Sequence, residues 1–401
     1  GPAADVDAFF VTNYGTGFQS TRDNGSTIYT YDIADTKGTA TAPAYGSTLA
    51  VTASVIGASS YVSANAGTLI QGAGTGHSVD AIESNNITYY ARANVGTNNT
   101  TASVIYASTS GAAILIDNAT SAKTMNGSIG NNIVLAGTDA SANDTIFAIA
   151  NHEGDNGSAT AYRLAVGTTT GTSTQWGSDN LTLATDNVTR YNSQTSLCAD
   201  ARYTSASGAN TRDAATDNAT LFVGYKSDNG SWVIDSSNDG GAAWGAGLFT
   251  AASSDNSSQA YCAMTVTKHG NDNGTLYMAA KTNLAVYTIY KLTGLNSLSQ
   301  SNLSALGTIT VGATTMPAGA GSVDIGFDTG DNGTVVIVND AGNIEMWRNN
   351  ETAVGTFTAI TAADMTGVAL DRISLSVQQS KYAVGYMDSN DNASVRIFYD
   401  E

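Results

Sequence analysis

The sequence predicts an all-β chain, and three observations predict it. Apolar residues nowhere recur at i, i+3, i+4 and i+7 over the length of a helix. Short runs of strand-forming residues do recur, as in Thr220-Leu221-Phe222-Val223-Gly224-Tyr225 and Thr334-Val335-Val336-Ile337-Val338. One strand opening also returns along the chain: Asp5-Val6-Asp7-Ala8, Ser78-Val79-Asp80-Ala81, Asn132-Ile133-Val134-Leu135, Ser196-Leu197-Cys198-Ala199, Ala260-Tyr261-Cys262-Ala263, Ser322-Val323-Asp324-Ile325 and Arg372-Ile373-Ser374-Leu375. These seven openings lie about 50 to about 73 residues apart, a spacing that suits a four-stranded blade with loops of unequal length. The expectation is a β-propeller of seven blades, mostly of four antiparallel strands. It fills 1–401 as one domain, with blades starting near residues 5, 78, 130, 196, 260, 322 and 372.

Each opening is followed by a second strand, expected at Ile28 to Asp32, Ile87 to Ala91, Thr145 to Ala150, Leu221 to Lys226, Leu276 to Lys281, Val335 to Asn339 and Tyr382 to Met387. Third strands are expected at Val104 to Ala107, Ala161 to Ala165, Trp232 to Asp235, Ala285 to Tyr290, Ile344 to Trp347 and Val395 to Tyr399. The turns agree. Asp-Asn-Gly-Ser/Thr stands at Asp23, Asp155, Asp228, Asp272 and Asp331, with Asp391-Asn392-Ala393-Ser394 as a variant. Asn-Gly supplies the two positive-φ residues of a type I′ hairpin turn, and a hydroxyl residue then opens the next strand. The repeats are too long and irregular for a solenoid, and no linker divides two sandwiches.

The last blade has room for only three strands between Arg372 and Glu401. A blade one strand short exposes an edge that another segment or another molecule must cover. Gly1 to Ala4 are too few for a strand; Phe18 to Asp23 and Lys37 to Gly46 are the candidates within the chain, and strand exchange between copies is the alternative.

Composition bounds the partners. Charged residues make up 12% of the chain, and 16 basic against 34 acidic residues give a net charge of −18, which argues against nucleic acid and anionic membrane. Mean hydropathy is −0.10, and no apolar run approaches the roughly 20 residues of a spanning helix, so no membrane insertion is expected. Gly1-Pro2-Ala3-Ala4-Asp5 shows neither the basic region nor the apolar core of a leader.

Asn-X-Ser/Thr occurs at Asn24, Asn86, Asn98, Asn99, Asn118, Asn126, Asn143, Asn156, Asn180, Asn187, Asn218, Asn229, Asn256, Asn273, Asn302, Asn332, Asn350 and Asn392. With 35 Asn and 93 Ser plus Thr, chance gives about eight such triplets, so these 18 are in excess. Six are Asn-Gly turns that precede a hydroxyl for turn chemistry alone; the other twelve still exceed their share. The expectation is N-glycosylation of several sites on an extracellular or cell-surface chain, which the low Lys and abundant Thr, Ser, Gly, Ala and Asn also suit.

Candidate sites are few. The third positions of the aligned openings read Asp7, Asp80, Val134, Cys198, Cys262, Asp324 and Ser374. Innermost strands line a propeller's channel, so Asp7, Asp80 and Asp324 are candidates to hold a cation, against the plainer reading that they cap backbone groups. Cys198 and Cys262 share one aligned position in neighbouring blades, which makes them disulfide candidates if their Cα atoms come within about 7 Å; the alternative is two buried thiols packing as hydrophobes. The loops Asp328 to Asn332 and Asp388 to Asn392 have calcium-loop spacing, but the twelfth position from Asp388 is Tyr399, where an EF-hand needs Glu. No cofactor is expected, and a looser Ca2+ site is the one alternative. His152, Glu153 and His269 have no ligand partners at recognisable spacing. Of the 19 Tyr, those in second strands, such as Tyr89, Tyr225, Tyr277 and Tyr386, are expected between blades, while any on loops could stack on sugar rings.

Ser237-Asn238-Asp239-Gly240-Gly241-Ala242-Ala243-Trp244 resembles the Asp-box of sialidases and related BNR-repeat propellers, on Ser237, Asp239, Gly241 and Trp244, with a degenerate echo from Asn339-Asp340-Ala341-Gly342 to Trp347. The resemblance implies a structural hairpin between the third and fourth strands of a blade, remote from any catalytic centre. Enzymes of that family carry an arginine triad and a tyrosine nucleophile paired with glutamate. No such pattern stands out among Arg22, Arg92, Arg163, Arg190, Arg202, Arg212, Arg348, Arg372 and Arg396, so the expectation is a non-enzyme with no catalytic residue. The first reading of function is a structural or adhesive surface protein that assembles with copies of itself into a filament, pilus or coat. A monomeric glycan-binding propeller is the alternative, and a sialidase-like glycoside hydrolase the second.

Overall fold

The structure, a computed structural model, describes the backbone of the strands named below. It describes side-chain surroundings for 198–201, 220–226, 231–237, 247–248, 261–267, 274–283, 285–295, 299–312, 323–328, 333–339, 342–350, 355–360, 373–377 and 382–386. The described strands form seven sheets of four or five strands and one two-stranded ribbon, Ala44–Tyr45 with Ser47–Thr48. Five sheets follow chain order. The second holds Ser78–Ser84, Ile87–Ala93, Val104–Ala107 and Ala113–Leu115, and the third Ile133–Gly137, Thr145–Asn151, Ala159–Ala165 and Leu181–Thr182. The fourth holds Leu197–Tyr203, Ala219–Lys226, Ser231–Ser237 and Leu248–Ala252, and the fifth Cys262–Val266, Thr275–Asn283, Val286–Thr293 and Leu303–Thr310. The sixth holds Val323–Asp328, Gly333–Asp340, Asn343–Asn349 and Thr358–Ala359, with Met365–Thr366 also on its third strand.

The first strands touch one another in sequence from sheet to sheet. Ser374–Gln378 of the seventh sheet touches Ala8–Val11 of the first, which touches Ser78–Ser84 of the second. The sheets therefore close a ring with their first strands innermost, a β-propeller.

Both faces of the fifth and sixth sheets are covered, so alternate residues of one strand pack in opposite directions. In the fifth sheet Leu276, Met278 and Ala280 join Phe222, Trp232 and Ile234 of the fourth. Tyr277 and Ala279, between them, join Val323, Ile325, Val336 and Val338 of the sixth. Val335 and Ile337 then turn to Leu375, Tyr382 and Val384 of the seventh. Burial on both sides is why Val335 to Val338 reads as an unbroken apolar run. Each such side chain contributes roughly 1.5–3 kcal/mol by leaving water.

The Asp-Asn-Gly turns serve two kinds of hairpin. Those at Asp23, Asp155 and Asp228 fall between second and third strands, whereas those at Asp272 and Asp331 fall between first and second. Gly274, in the second kind, has φ 58°, the left-handed backbone the turn demands.

Two expectations are corrected at the closure of the ring. Ile28–Thr36 is the third strand of the first sheet, not the second, because Gly17–Thr21 pairs between it and Ala8–Val11. Phe18 to Thr21 therefore belongs to the first sheet and does not cover the last. The seventh sheet holds Ser374–Gln378, Lys381–Met387 and Ala393–Asp400, and its fourth strand is Ala50–Ile56, in register from Ser394↔Ala50 to Asp400↔Ile56. That strand runs parallel, so this sheet is not wholly antiparallel. It does not come from a hairpin, and only a hairpin forces the antiparallel direction. Among the described residues no helix is long and apolar enough to cross a membrane.

Candidate functional site

Of the predicted site residues, Cys198, Cys262 and Asp324 are described on inner strands, and the side chains described there tie sheet to sheet. Asp324, on the inner strand of the sixth sheet, accepts the Ile325 N–H at 2.8 Å through Oδ1 and the Leu375 N–H of the seventh sheet at 2.7 Å through Oδ2. Asp200, which sequence reasoning did not single out, does the same from the fourth sheet. Its Oδ1 takes the Ala201 N–H at 2.8 Å and its Oδ2 takes Val266 N–H of the fifth at 2.7 Å. A carboxylate accepting backbone N–H groups this way is a charge-assisted tie. Of the predicted cation candidates, Asp324 thus serves the backbone, Asp80 lies in a strand whose side chain is not described, and Asp7 lies outside the described residues. Among the described residues there is no group of three or more His, Cys, Asp or Glu placed to hold a metal. The loops 329–332 and 388–392 and residues 152, 153 and 269 lie outside them.

Cys198 and Cys262 are joined as a disulfide between the inner strands of the fourth and fifth sheets, with Cα atoms 5.8 Å apart. Both sulfurs sit over the Gly224 carbonyl oxygen, at 3.7 and 3.8 Å, as contacts rather than hydrogen bonds, since the bonded sulfurs carry no proton. The bond and the Asp200 tie together fix one seam of the ring.

Several buried polar groups of the fourth to seventh sheets are paired. The Tyr225 hydroxyl donates to Asp235 Oδ2 at 2.9 Å within the fourth sheet, and the Tyr382 hydroxyl donates to Asp328 Oδ2 at 2.6 Å across the sixth-to-seventh seam. Trp232 Nε1 donates to the Lys281 carbonyl at 2.9 Å. The Lys281 side chain is buried with its Nζ 5.5 Å from the centre of the Tyr261 ring, and burial pushes the Tyr261 phenol up to about 12. On the next face, Lys291 Nζ stands 5.7 Å from the Tyr277 ring centre, and Tyr277 stacks on Phe327 at 5.4 Å. Burial holds the Lys291 ammonium below its usual range.

As expected for second strands, Tyr225 and Tyr277 are buried between sheets, while Tyr386 is only half-buried and the Tyr89 side chain is not described. Among the described residues the half-buried aromatics Phe327, Trp347 and Tyr386 lie on the sixth and seventh sheets. Ser237 ends the third strand of the fourth sheet and Leu248 opens the fourth, so the segment resembling an Asp-box spans the expected hairpin, but 238–246 lie outside the described residues. Its echo departs from that pattern. Asn339 to Gly342 join the second and third strands of the sixth sheet, with Asn339 Oδ1 accepting the Gly342 N–H at 3.2 Å.

Of the sequons, Asn302 and Asn350 are described. Asn350 is exposed, whereas Asn302 is half-buried at the end of the short 3-10 turn Gln300–Asn302, its Nδ2 set against Gly294. An oligosaccharide attaches at Nδ2, so Asn350 offers the more open acceptor.

No protein-family profile matches the chain, and no curated protein matches it. Solved structures do. The SapL1 lectin in complex with alpha methyl fucoside is 11% identical, with a TM-score of 0.46 over 81% of this chain and 92% of that one. The fucose-specific lectin from Aleuria aurantia is 10% identical, with a TM-score of 0.45 over 88% and 95%. The Trypanosoma rangeli sialidase is 10% identical, with a TM-score of 0.45 over 82% and 55%. At these values the likenesses add nothing to the architecture that the sheets themselves display.

Proposed function

We propose that this chain is a carbohydrate-binding propeller that works outside the cell, its seven sheets serving as seven blades of one domain. The observation that carries this reading is the closure of the last sheet by Ala50–Ile56. The edge that would have called for another copy is filled from within, which favours a discrete ring that presents its surface to a ligand over an obligate filament subunit. The commitment of Asp200, Asp324, Asp235 and Asp328 to backbone amides and phenols supports a binding role over a catalytic one. Glycan is the ligand class that the aromatic supply favours. Flat aromatic faces stack on sugar rings, and the chain holds 19 Tyr, nine Phe and four Trp, of which Phe327, Trp347 and Tyr386 pack against core clusters with part of their surface left open. The excess of sequons supports a secreted, glycosylated chain.

A glycan array probed with the folded chain tests this, followed by titration calorimetry on any hit. Saturable binding to a defined glycan set is expected, with no turnover of the bound sugar. A blank array from folded protein would remove the reading, and release of free sugar would replace it with a hydrolase.

A further inference from the structure

The closure strand belongs to a segment, the closure arm, whose two ends are held on the first sheet. Ile28–Thr36 pairs directly with Tyr61–Ala64, in register from Ile33↔Ala64 to Thr36↔Tyr61, and again with Thr68–Gln71. The two ends of 37–60 are thus clamped side by side on the first sheet, which is complete without that segment. Between the clamps the described strands are the 44–48 ribbon and Ala50–Ile56, which touches Tyr61–Ala64 but does not pair with it. Among the described residues the arm's one long ladder is that of Ala50–Ile56 with Ala393–Asp400, more than 300 residues away in sequence. The strand it delivers, Ala50-Val51-Thr52-Ala53-Ser54-Val55-Ile56, has no charge and no proline, the residues by which edge strands usually discourage intermolecular pairing.

We infer that a second copy of this chain can supply the closure strand, and that the exchange is reciprocal, giving a two-fold pair rather than a filament. The lengths of the two legs decide this. The leg over 37–49 has thirteen residues and can span about 40 Å, but Ile56 and Tyr61 are separated by only five steps, which reach at most about 17 Å. A donor's first sheet must therefore lie beside the acceptor's last sheet, as it does within one ring. Arm and acceptor edge occupy the same seam of each copy, so a copy that receives an arm has its own arm facing the donor's vacated edge. The contact is isologous and closes on itself. Within one chain the arm's high effective concentration favours self-closure, so the pair gains with protein concentration and after unfolding and refolding. This inference stands on strand pairing and chain length and is independent of what the propeller binds.

Residues 53 and 397 face each other in the ladder, which makes the test direct. Ala53→Cys and Ile397→Cys are made in separate full-length chains, unfolded together, refolded over a range of concentrations and oxidised. The doubly substituted chain serves as the control for closure within one molecule. A 53–397 linked peptide from the mixture, in a species of about twice the 40.9 kDa chain mass whose share rises about tenfold per tenfold concentration while small, is the expected result. Its absence, while the double variant locks internally, would overturn the exchange. A ladder of 53–397 linked species larger than the dimer, formed by the doubly substituted chain at high concentration, would overturn reciprocity. Failure of the double variant to lock would overturn the pairing on which the inference rests.

Discussion

Tyr261 shows how one buried side chain fixes a pH response. Its phenol, pushed up to about 12 by burial, stays protonated in the folded ring after the same group in an unfolded chain, at about 10, has ionised. The raised value means that the stability linked to this proton is fully present below pH 10 and is lost as pH rises through 12. Lys291 works in the opposite direction, since its lowered folded value makes stability rise with pH as it discharges, up to the ordinary lysine range. Urea midpoints at pH 9, 10, 11 and 12 separate them. The native chain should lose roughly 2–3 kcal/mol more than Tyr261→Phe across that window, from two pKa units at about 1.4 kcal/mol each. Equal losses would show that the Tyr261 proton is not linked to folding. No such shift is legible in the sequence, where Tyr261 is simply the second residue of a strand opening; burial arises only when the fifth and sixth sheets meet.

At the scale of elements, the sequence is most informative where alternation and turn chemistry act locally. Openings expected at Ser78, Asn132, Ser196, Ala260, Ser322 and Arg372 begin as strands at Ser78, Ile133, Leu197, Cys262, Val323 and Ser374, because a hairpin ladder is set by neighbours in the chain. The ties between sheets are less legible, since Asp200 and Leu375 look like ordinary strand residues until the partner strand arrives. Gly326 is such a case. A Cβ there would meet Val377 Cγ2 of the next sheet and lie 3.0 Å from Val377 Cβ, so the seam closes only over a bare Cα. Gly326→Ala is expected to cost roughly 1–3 kcal/mol, the usual range for overpacking. Adding Val377→Ala should return part of that loss, and a double-mutant cycle in urea reads the coupling. Additive effects of the two changes would mean that the seam gives way elsewhere.

For the molecule as a whole, the ring is closed twice, and the two closures have different consequences. Inside, Ala8–Val11 touches the first and second strands of the seventh sheet; outside, Ala50–Ile56 pairs with the last strand. The inner closure joins the segments on which the chain begins and ends its sheets, and it follows from the repeat itself. The outer closure was foreseeable only as a missing strand, because parallel pairing across the chain leaves no turn signal to mark it. Thr52→Pro with Ala53→Pro separates their contributions. Consecutive N–H groups of a strand point to opposite sides, so one of these two donors faces Ala393–Asp400, and proline removes both. The loss should be on the order of 2 kcal/mol, from one broken bond and the pairing it registers. The inner contacts remain, so far-ultraviolet circular dichroism should hold while trypsin gains access at Lys381 and Arg396 of the seventh sheet before Lys281, which lies buried in the fifth. Early cleavage at Lys281 would instead mean that the ring opens as a unit and that the inner closure has no strength of its own. Cleavage unchanged from the native pattern would mean that the outer strand is dispensable to the ring.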